Sequence, residues 1–341
     1  MSGLPRATVR TVTGDLSPAG LGVCDAHDHL FLSSPVLAGQ ELADAGAAAA
    51  ELRAFREAGG GTVIQWTPYG MGRRAGELPR LARASGVRIV AATGLHQAVH
   101  YAPEVLERFT GHTGGSGDLA ELFVAELTTG IRTRAEHPGA DPAPAAGSGA
   151  LADGSAGRPR AGMIKVAGGF HGLDAHARHT MAAAAEAHHA TDAAIGVHLE
   201  LGTGATDVLD LLCGKLGVPP ERVILGHLNR SPDPVVHRQA AAAGAYLAFD
   251  GPSRAHHATD WRLPDALAAL ADAGYGDRLL LGGDTTTAAA RSVNGGPGLP
   301  FLLRRLRPRL ELALGEELVR RVLTANPARA FAAAWQPVAG A

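Results

Sequence analysis

Val23-Cys24-Asp25-Ala26-His27-Asp28-His29-Leu30 reads as a short strand that carries two histidines two residues apart. Side chains alternate faces along a strand, so His27 and His29 point the same way, close enough to hold one metal ion. In 341 residues with 16 histidines, about one His-x-His arises by chance. The motif alone therefore does not separate a metal site from two surface histidines on an edge strand. Cys24 lies three residues before His27 and by alternation faces away, where it reads as core packing rather than as a ligand. What gives the motif weight lies further along the chain, at the ends of other strands.

Counting this one at 22–29, eight short apolar runs read as strands; the others are at 62–66, 88–93, 162–166, 194–199, 222–227, 245–249 and 278–283. Between them lie segments rich in Ala, Leu, Glu and Arg that read as helices, at 43–58, 78–84, 119–132, 175–190, 206–216, 234–243, 263–273 and 316–323. Eight strands alternating with helices is the pattern of an α/β protein built as a (β/α)8 TIM barrel. A doubly wound open sheet is the alternative. No Gly-x-Gly-x-x-Gly follows the first strand to support it, and Gly59-Gly60-Gly61 precedes a strand and reads as a helix stop. The chain, 1–341, reads as a single domain without internal repeats. One segment departs from the pattern: 135–160, dense in Ala, Gly, Pro, Asp and Ser. It cannot bury enough apolar surface to offset its ordering entropy and is expected to be a disordered insertion. It joins a helix to the fourth strand, hence the barrel face opposite a reaction site, and has no catalytic part.

The composition is 46% hydrophobic with a formal net charge of -2. That supports a large core and gives no reason to expect nucleic acid or an anionic membrane as a partner. Residues 1–13 hold no apolar stretch of the signal-peptide kind, and the Ala-rich tracts are broken by charges and Gly before they reach a membrane span. Two cysteines, Cys24 and Cys213, make no disulfide framework, which fits a reducing cytoplasm.

In a barrel of this kind the reaction site sits at the C-terminal ends of the strands. The first strand brings His27 and His29 there, the fourth Lys165, the fifth His198, the sixth His227 and the eighth Asp284. Singly, each has an ordinary explanation. A strand-end histidine is often a satisfied polar residue, a lysine in an apolar strand snorkels or pairs with a carboxylate, and an aspartate after Gly-Gly caps a turn. Six such groups in register at five strand ends are far harder to dismiss.

In the order His-x-His, Lys, His, His, Asp, the chain resembles the phosphotriesterase family of the amidohydrolase superfamily. The likeness extends from Val9-Arg10-Thr11-Val12-Thr13-Gly14 through Gly162-Met163-Ile164-Lys165-Val166 and Val223-Ile224-Leu225-Gly226-His227 to Leu323-Thr324-Ala325-Asn326-Pro327-Ala328-Arg329. The resemblance implies a TIM-barrel hydrolase with two divalent metal ions, usually zinc, and a Lys165 carboxylated by CO2. The chemistry makes sense of the lysine: an ammonium has no lone pair to give a metal, whereas a carbamate offers an oxygen to each of two ions. His27, His29, Lys165 and Asp284 would hold one ion, and Lys165, His198 and His227 the other. A hydroxide acidified between them would be the nucleophile, with Asp284 as proton acceptor.

The resemblance fixes machinery better than substrate. Relatives of this kind hydrolyse organophosphate triesters, acyl-homoserine lactones, sugar lactones and some amides, and a homodimer is common among them. Acyl-homoserine lactonases would carry a tyrosine where His96 follows Gly94-Leu95, and an arginine sooner after Asp250 than Arg254. The loop after the eighth strand, Thr285 onward, is short and polar, as in members acting on small polar sugar lactones. His96, His100 and Tyr101 after the third strand, His171 after the fourth, Arg254, His256 and His257 after the seventh and Arg291 after the eighth are candidate substrate contacts. An arginine among them suits a carboxylate or phosphate. His176, His179, His188 and His189 fall on a helix expected to be exposed. The first expectation is hydrolysis of a small polar lactone or ester. The alternatives are a phosphotriesterase in the narrow sense, an amide hydrolase, and a non-catalytic barrel that binds a small molecule.

Overall fold

The structure, a computed structural model, describes residues 7–109, 117–132, 158–251 and 257–336. An antiparallel pair comes first, β1 (Thr8–Thr11) and β2 (Gly14–Leu16). Eight parallel strands follow: β3 (Cys24–Asp28), β4 (Thr62–Gln65), β5 (Arg88–Gly94), β6 (Ala161–Ala167), β7 (Ile195–His198), β8 (Val223–Leu225), β9 (Tyr246–Asp250) and β10 (Leu279–Gly282). A final short strand, β11 (Ala332–Ala333), returns to pair with β1. The helices between them are α1 (Ala45–Glu57), α2 (Leu78–Ser85), α3 (Pro103–Glu107), α4 (Gly117–Thr128), α5 (Ala175–Thr191), α6 (Ala205–Leu209), α7 (Pro234–Ala243), α8 (Leu263–Asp272), α9 (Arg307–Leu314), α10 (Glu316–Leu323) and α11 (Ala325–Ala330). Each barrel strand is hydrogen-bonded to the next in sequence order, so the expected TIM barrel is what the chain forms.

No strand ladder joins β3 to β10 among the described residues. That seam is bridged instead by the turn after β10. The Asp284 amide donates to the His27 carbonyl (2.9 Å), and the Gly283 and Thr285 amides donate to the carboxylates of Asp25 (3.1 Å) and Asp28 (3.0 Å). The approach is close enough to require glycine: a Cβ on Gly282 would stand 2.6 Å from the His27 oxygen.

Two apolar layers result. The outer one lies between strands and helices. The inner one fills the barrel with Ala26, Ile64, Trp66, Val90, Met163, Ile224 and Leu280. Trp66 is fully buried there, and its indole N–H donates to the Ala26 carbonyl (2.7 Å). A Cβ on Gly196 would come within 2.9 Å of that indole, so the strand opposite makes room by having none. Cys24 is buried in the same layer, which agrees with its reading as packing, and burial pushes its thiol pKa up.

The small sheet of β1, β2 and β11 closes the N-terminal end of the barrel. Val12 donates to Ile89 at the start of β5 (2.9 Å), and Val9, Leu21 and Phe331 join the inner layer. Sequence reading finds the eight barrel strands but not these three: they are two to four residues long, and Thr8 pairs with Ala333 from the far end of the chain. The reading of α5 as exposed is corrected. Nine of its residues are buried, among them His188, whose Nδ1 lies 2.8 Å from the Ala193 carbonyl. Its alanine-rich sequence buries well but marks no face. Of the 135–160 insertion only 158–160 fall among the described residues. No described helix is long and apolar enough to cross a membrane.

Candidate metal centre

At the C-terminal ends of the strands, opposite the small sheet, lies a cavity of about 190 Å³. His27, His29, Lys165, His198, His227 and Asp284 all line it. The His27 ring stacks on the buried Trp66 indole at 3.9 Å between centroids. His27 and Asp284 approach to 3.6 Å, and His29 and Asp284 to 3.5 Å. The His198 and His227 rings are 4.4 Å apart, and those of His27 and His227 4.8 Å. His227 and Asp284 both hold left-handed backbone, with φ of 64° and 51°. Non-glycine residues avoid that region unless their surroundings impose it.

Three of the four imidazoles have one ring nitrogen hydrogen-bonded to an oxygen. The His29 Nδ1 lies 2.8 Å from the Thr67 hydroxyl, whose own proton goes to the Phe31 carbonyl (2.6 Å). Thr67 must then accept from His29, which places the proton on Nδ1 and leaves the Nε2 lone pair for the cavity. The His198 Nε2 lies 3.0 Å from a Glu200 carboxylate oxygen, which takes the ring proton on that side and leaves the Nδ1 lone pair for the cavity. Asp250 serves the other two. One oxygen takes a short hydrogen bond from the His227 Nδ1, and the other lies 3.0 Å from the His27 Nδ1, though too bent in angle for a formed hydrogen bond. Carboxylates and hydroxyls that fix the tautomer of a histidine from behind are characteristic of metal ligands.

Charge follows burial. Lys165 is 2% exposed, and burial outweighs the pull of Asp284 and Glu200 to lower its pKa to about 7. Burial lowers His29 to about 4 and holds His198 well below the ordinary histidine value. Burial alone would raise Asp284, but His227, His29 and His27 more than offset it and hold it well below the usual carboxylate range. The same contest lowers Asp250 and, from the other side, raises His227. Among the described residues, two groups of side chains have ligand atoms close enough to share an ion: His27, His29 and Asp284, and His27, His227 and Asp250. In the second, Asp250 is already engaged with the ring nitrogens from behind, so the first is the better chelate.

Beneath the cluster, Asp25 and Asp28 face one another in full burial. Desolvation raises both, Asp28 to about 7 and Asp25 well above the usual carboxylate value, where the neighbouring Asp28 charge adds to the shift. Their oxygens nonetheless receive the amides of His27 (3.1 Å) and His29 (2.7 Å), which sets the backbone that presents the two rings.

The other expected contacts divide. His96, His100 and His257 line the cavity. His96 and His100 stack at 4.3 Å, and burial lowers both, His100 to about 4. Tyr101 stands behind them: its hydroxyl accepts the His96 amide (2.6 Å), and it does not reach the cavity wall. His171 is on an exposed turn against Phe170, away from the cavity. Arg291 does not line the cavity. It is 3% exposed, and its guanidinium donates to the carbonyls of Asp44 (2.9 Å) and Leu30. Arg254 and His256 lie outside the described residues. Sequence reading missed Thr67, Glu200, Arg230 and the supporting role of Asp250. Their partners are set by the fold, and no local spacing marks them.

A sequence model of the phosphotriesterase family matches residues 7–139 and 151–331. Among curated proteins, a phospho-furanose lactonase of Mycoplasmopsis synoviae is 25% identical over 340 residues, covering 95% of this chain and 91% of the relative. Among solved structures, a lactonase from Listeria monocytogenes superposes with a TM-score of 0.81 at 26% identity, over 95% of this chain and 98% of its own. A variant of an organophosphorus hydrolase from Deinococcus radiodurans gives 0.77 at 28% identity, over 95% and 97%.

Proposed function

The chain belongs to the phosphotriesterase family, and from that membership we propose that it is a binuclear metal-dependent hydrolase that opens small, polar lactones. The observation that carries the reading is the set of four imidazoles around one cavity: His29, His198 and His227 each have one nitrogen hydrogen-bonded to an oxygen and the other left for the cavity, and the His27 ring stands 3.0 Å from Asp250. Its similarity to lactonases from two organisms supports the substrate class.

His27, His29, Lys165 and Asp284 would hold one ion, and Lys165, His198 and His227 the other, with zinc as the expected metal. When bound, the ions supply Lewis acidity that brings water near a neutral pKa and polarises the scissile carbonyl. The chain does the rest. With its pKa lowered to about 7, a large share of Lys165 is the free amine at neutral pH. The amine lone pair would bond the carbon of CO2 and the nitrogen would release one proton to solvent, giving a carbamate whose single negative charge is shared by two oxygens. Asp284 stays ionised and accepts the proton of the attacking water. Thr67, Glu200 and Asp250 keep the rings turned to the cavity, and Trp66 beneath His27 keeps water out of the barrel.

The test is acid release from a panel of sugar lactones by metal-replete protein, with Lys165→Ala as the control that abolishes it. No turnover of any lactone would remove the reading. Asp284→Asn should lose roughly 10²–10⁴-fold in kcat, the usual span for a positioned acid–base group. The likeness to the organophosphorus hydrolase keeps triester hydrolysis as the second reading. The ratio of specificity constants for a lactone and an aryl dialkyl phosphate decides between them.

A further inference from the structure

Arg230, in the turn after β8, lines the same cavity as the histidine cluster. Its side chain is 4% exposed. One guanidinium nitrogen, Nη1, donates to Asp260 (2.8 Å), whereas Nη2 is buried and has no hydrogen-bond partner. Asp260 holds the whole corner together. It also takes the amide of His257 (3.0 Å) and stands 3.3 Å from the Asn229 amide nitrogen, while Asn229 is tied to the backbone of Asp250 at both ends of its side chain. Arg230 is thus fixed in place with one fork of its guanidinium spoken for and the other unpaired. A buried donor without an acceptor is costly, and the cost is removed when a ligand oxygen arrives.

We infer that Arg230 is an oxyanion anchor: the lactone carries a phosphate or carboxylate, and Nη2 of Arg230 grips it while the ring carbonyl faces the histidine cluster. Asp260 is the positioning residue. The inference rests on the lactonase reading for the ring and on Arg230 alone for the charge. The charge-assisted N–H donors of Nη2 suit either anion.

Three lactones differing at one position, with phosphate, carboxylate or hydroxyl, separate the possibilities. Wild type should favour one of the anionic forms, and the larger specificity constant names the anion. In Arg230→Met the ratio of anionic to neutral specificity constants should fall roughly 10²-fold, the loss expected for a charge-assisted pair, with Arg230→Lys in between. An unchanged ratio, or a wild-type preference for the hydroxyl form, overturns the inference and leaves the lactonase reading standing. If no lactone is opened, that reading fails, and calorimetric titration of chelator-treated protein with inorganic phosphate still decides on Arg230. About tenfold weaker binding in Arg230→Met than in wild type sustains the anchor, and equal affinities overturn it.

Discussion

Asp250 shows how much of this site rests on one side chain. It stands behind two rings from different strands, so Asp250→Asn should loosen both at once. Replacing a supporting carboxylate of this kind typically costs about 10–100-fold in metal affinity. Competition with a chromogenic chelator reads the loss, and unchanged affinity would make Asp250 merely structural. Lys165 gives a second check. Its native pKa of about 7 lies below the unfolded value, so between the two the unfolded chain holds a proton that the native chain does not. Stability conferred by the metal-free protein therefore rises with pH from about 7 toward 10. The melting temperature of metal-free wild type should climb relative to Lys165→Met over that window, and a flat difference would mean the ammonium persists in the native state. The six strand-end residues were legible because a barrel delivers strand ends to one place, so order along the chain suffices. Thr67 and Glu200 were not legible, since a threonine or a glutamate looks alike wherever it falls.

Two elements around the site are held by buried charge rather than by apolar contact. Arg73, after β4, is fully buried. It pairs with Glu126 of α4 and donates to the Ala92 carbonyl (2.9 Å), while Thr93 donates to the same glutamate (2.6 Å). Removing one partner of a buried pair costs about 3–5 kcal/mol because the other's charge loses its counter-charge. Glu126→Leu should therefore destabilise strongly in urea titration, and Arg73→Met/Glu126→Leu together much less. An additive double variant would refute the pairing. Glu51 of α1 anchors the loop after β10, accepting the Ser292 hydroxyl (2.5 Å) and the amides of Val293 (3.1 Å) and Leu299 (3.0 Å). With Arg291, it binds that loop to α1. The short polar sequence after the eighth strand announced a small loop. It did not announce that the loop's arginine faces inward, because a guanidinium serves a ligand or a carbonyl equally well.

Over the whole molecule, sequence fixes the alternation of strand and helix, while closure of the barrel's lower end depends on pairs three hundred residues apart that no window can hold. The family model leaves out residues 140–150, within the insertion that reads as lying opposite the site. Excising 140–150 should leave lactone turnover within about twofold and the melting temperature little changed, since the cost of closing a connection grows only logarithmically with its length. Acid acts on the molecule through its buried imidazoles. His29 and His100 fall to about 4 in the native state and His96 and His198 fall as well, so the unfolded chain takes up their protons first. Stability is lost as pH drops from about 6.5 toward 4. A chelator-treated sample whose melting temperature stays level across that range would show those rings to be protonated in the folded chain.

The join between β3 and β10 has a wider meaning. A barrel is only as strong as its last closure, and here the closing strands meet through the very turn that bears Asp284, opposite the strand that bears His27. An ion held by those two side chains would act as a rivet across the hoop's one unladdered joint. Chelation should then quicken hydrogen exchange first at the amides of Gly283, Asp284 and Thr285, and the hoop should spring open there before any other pair of staves parts.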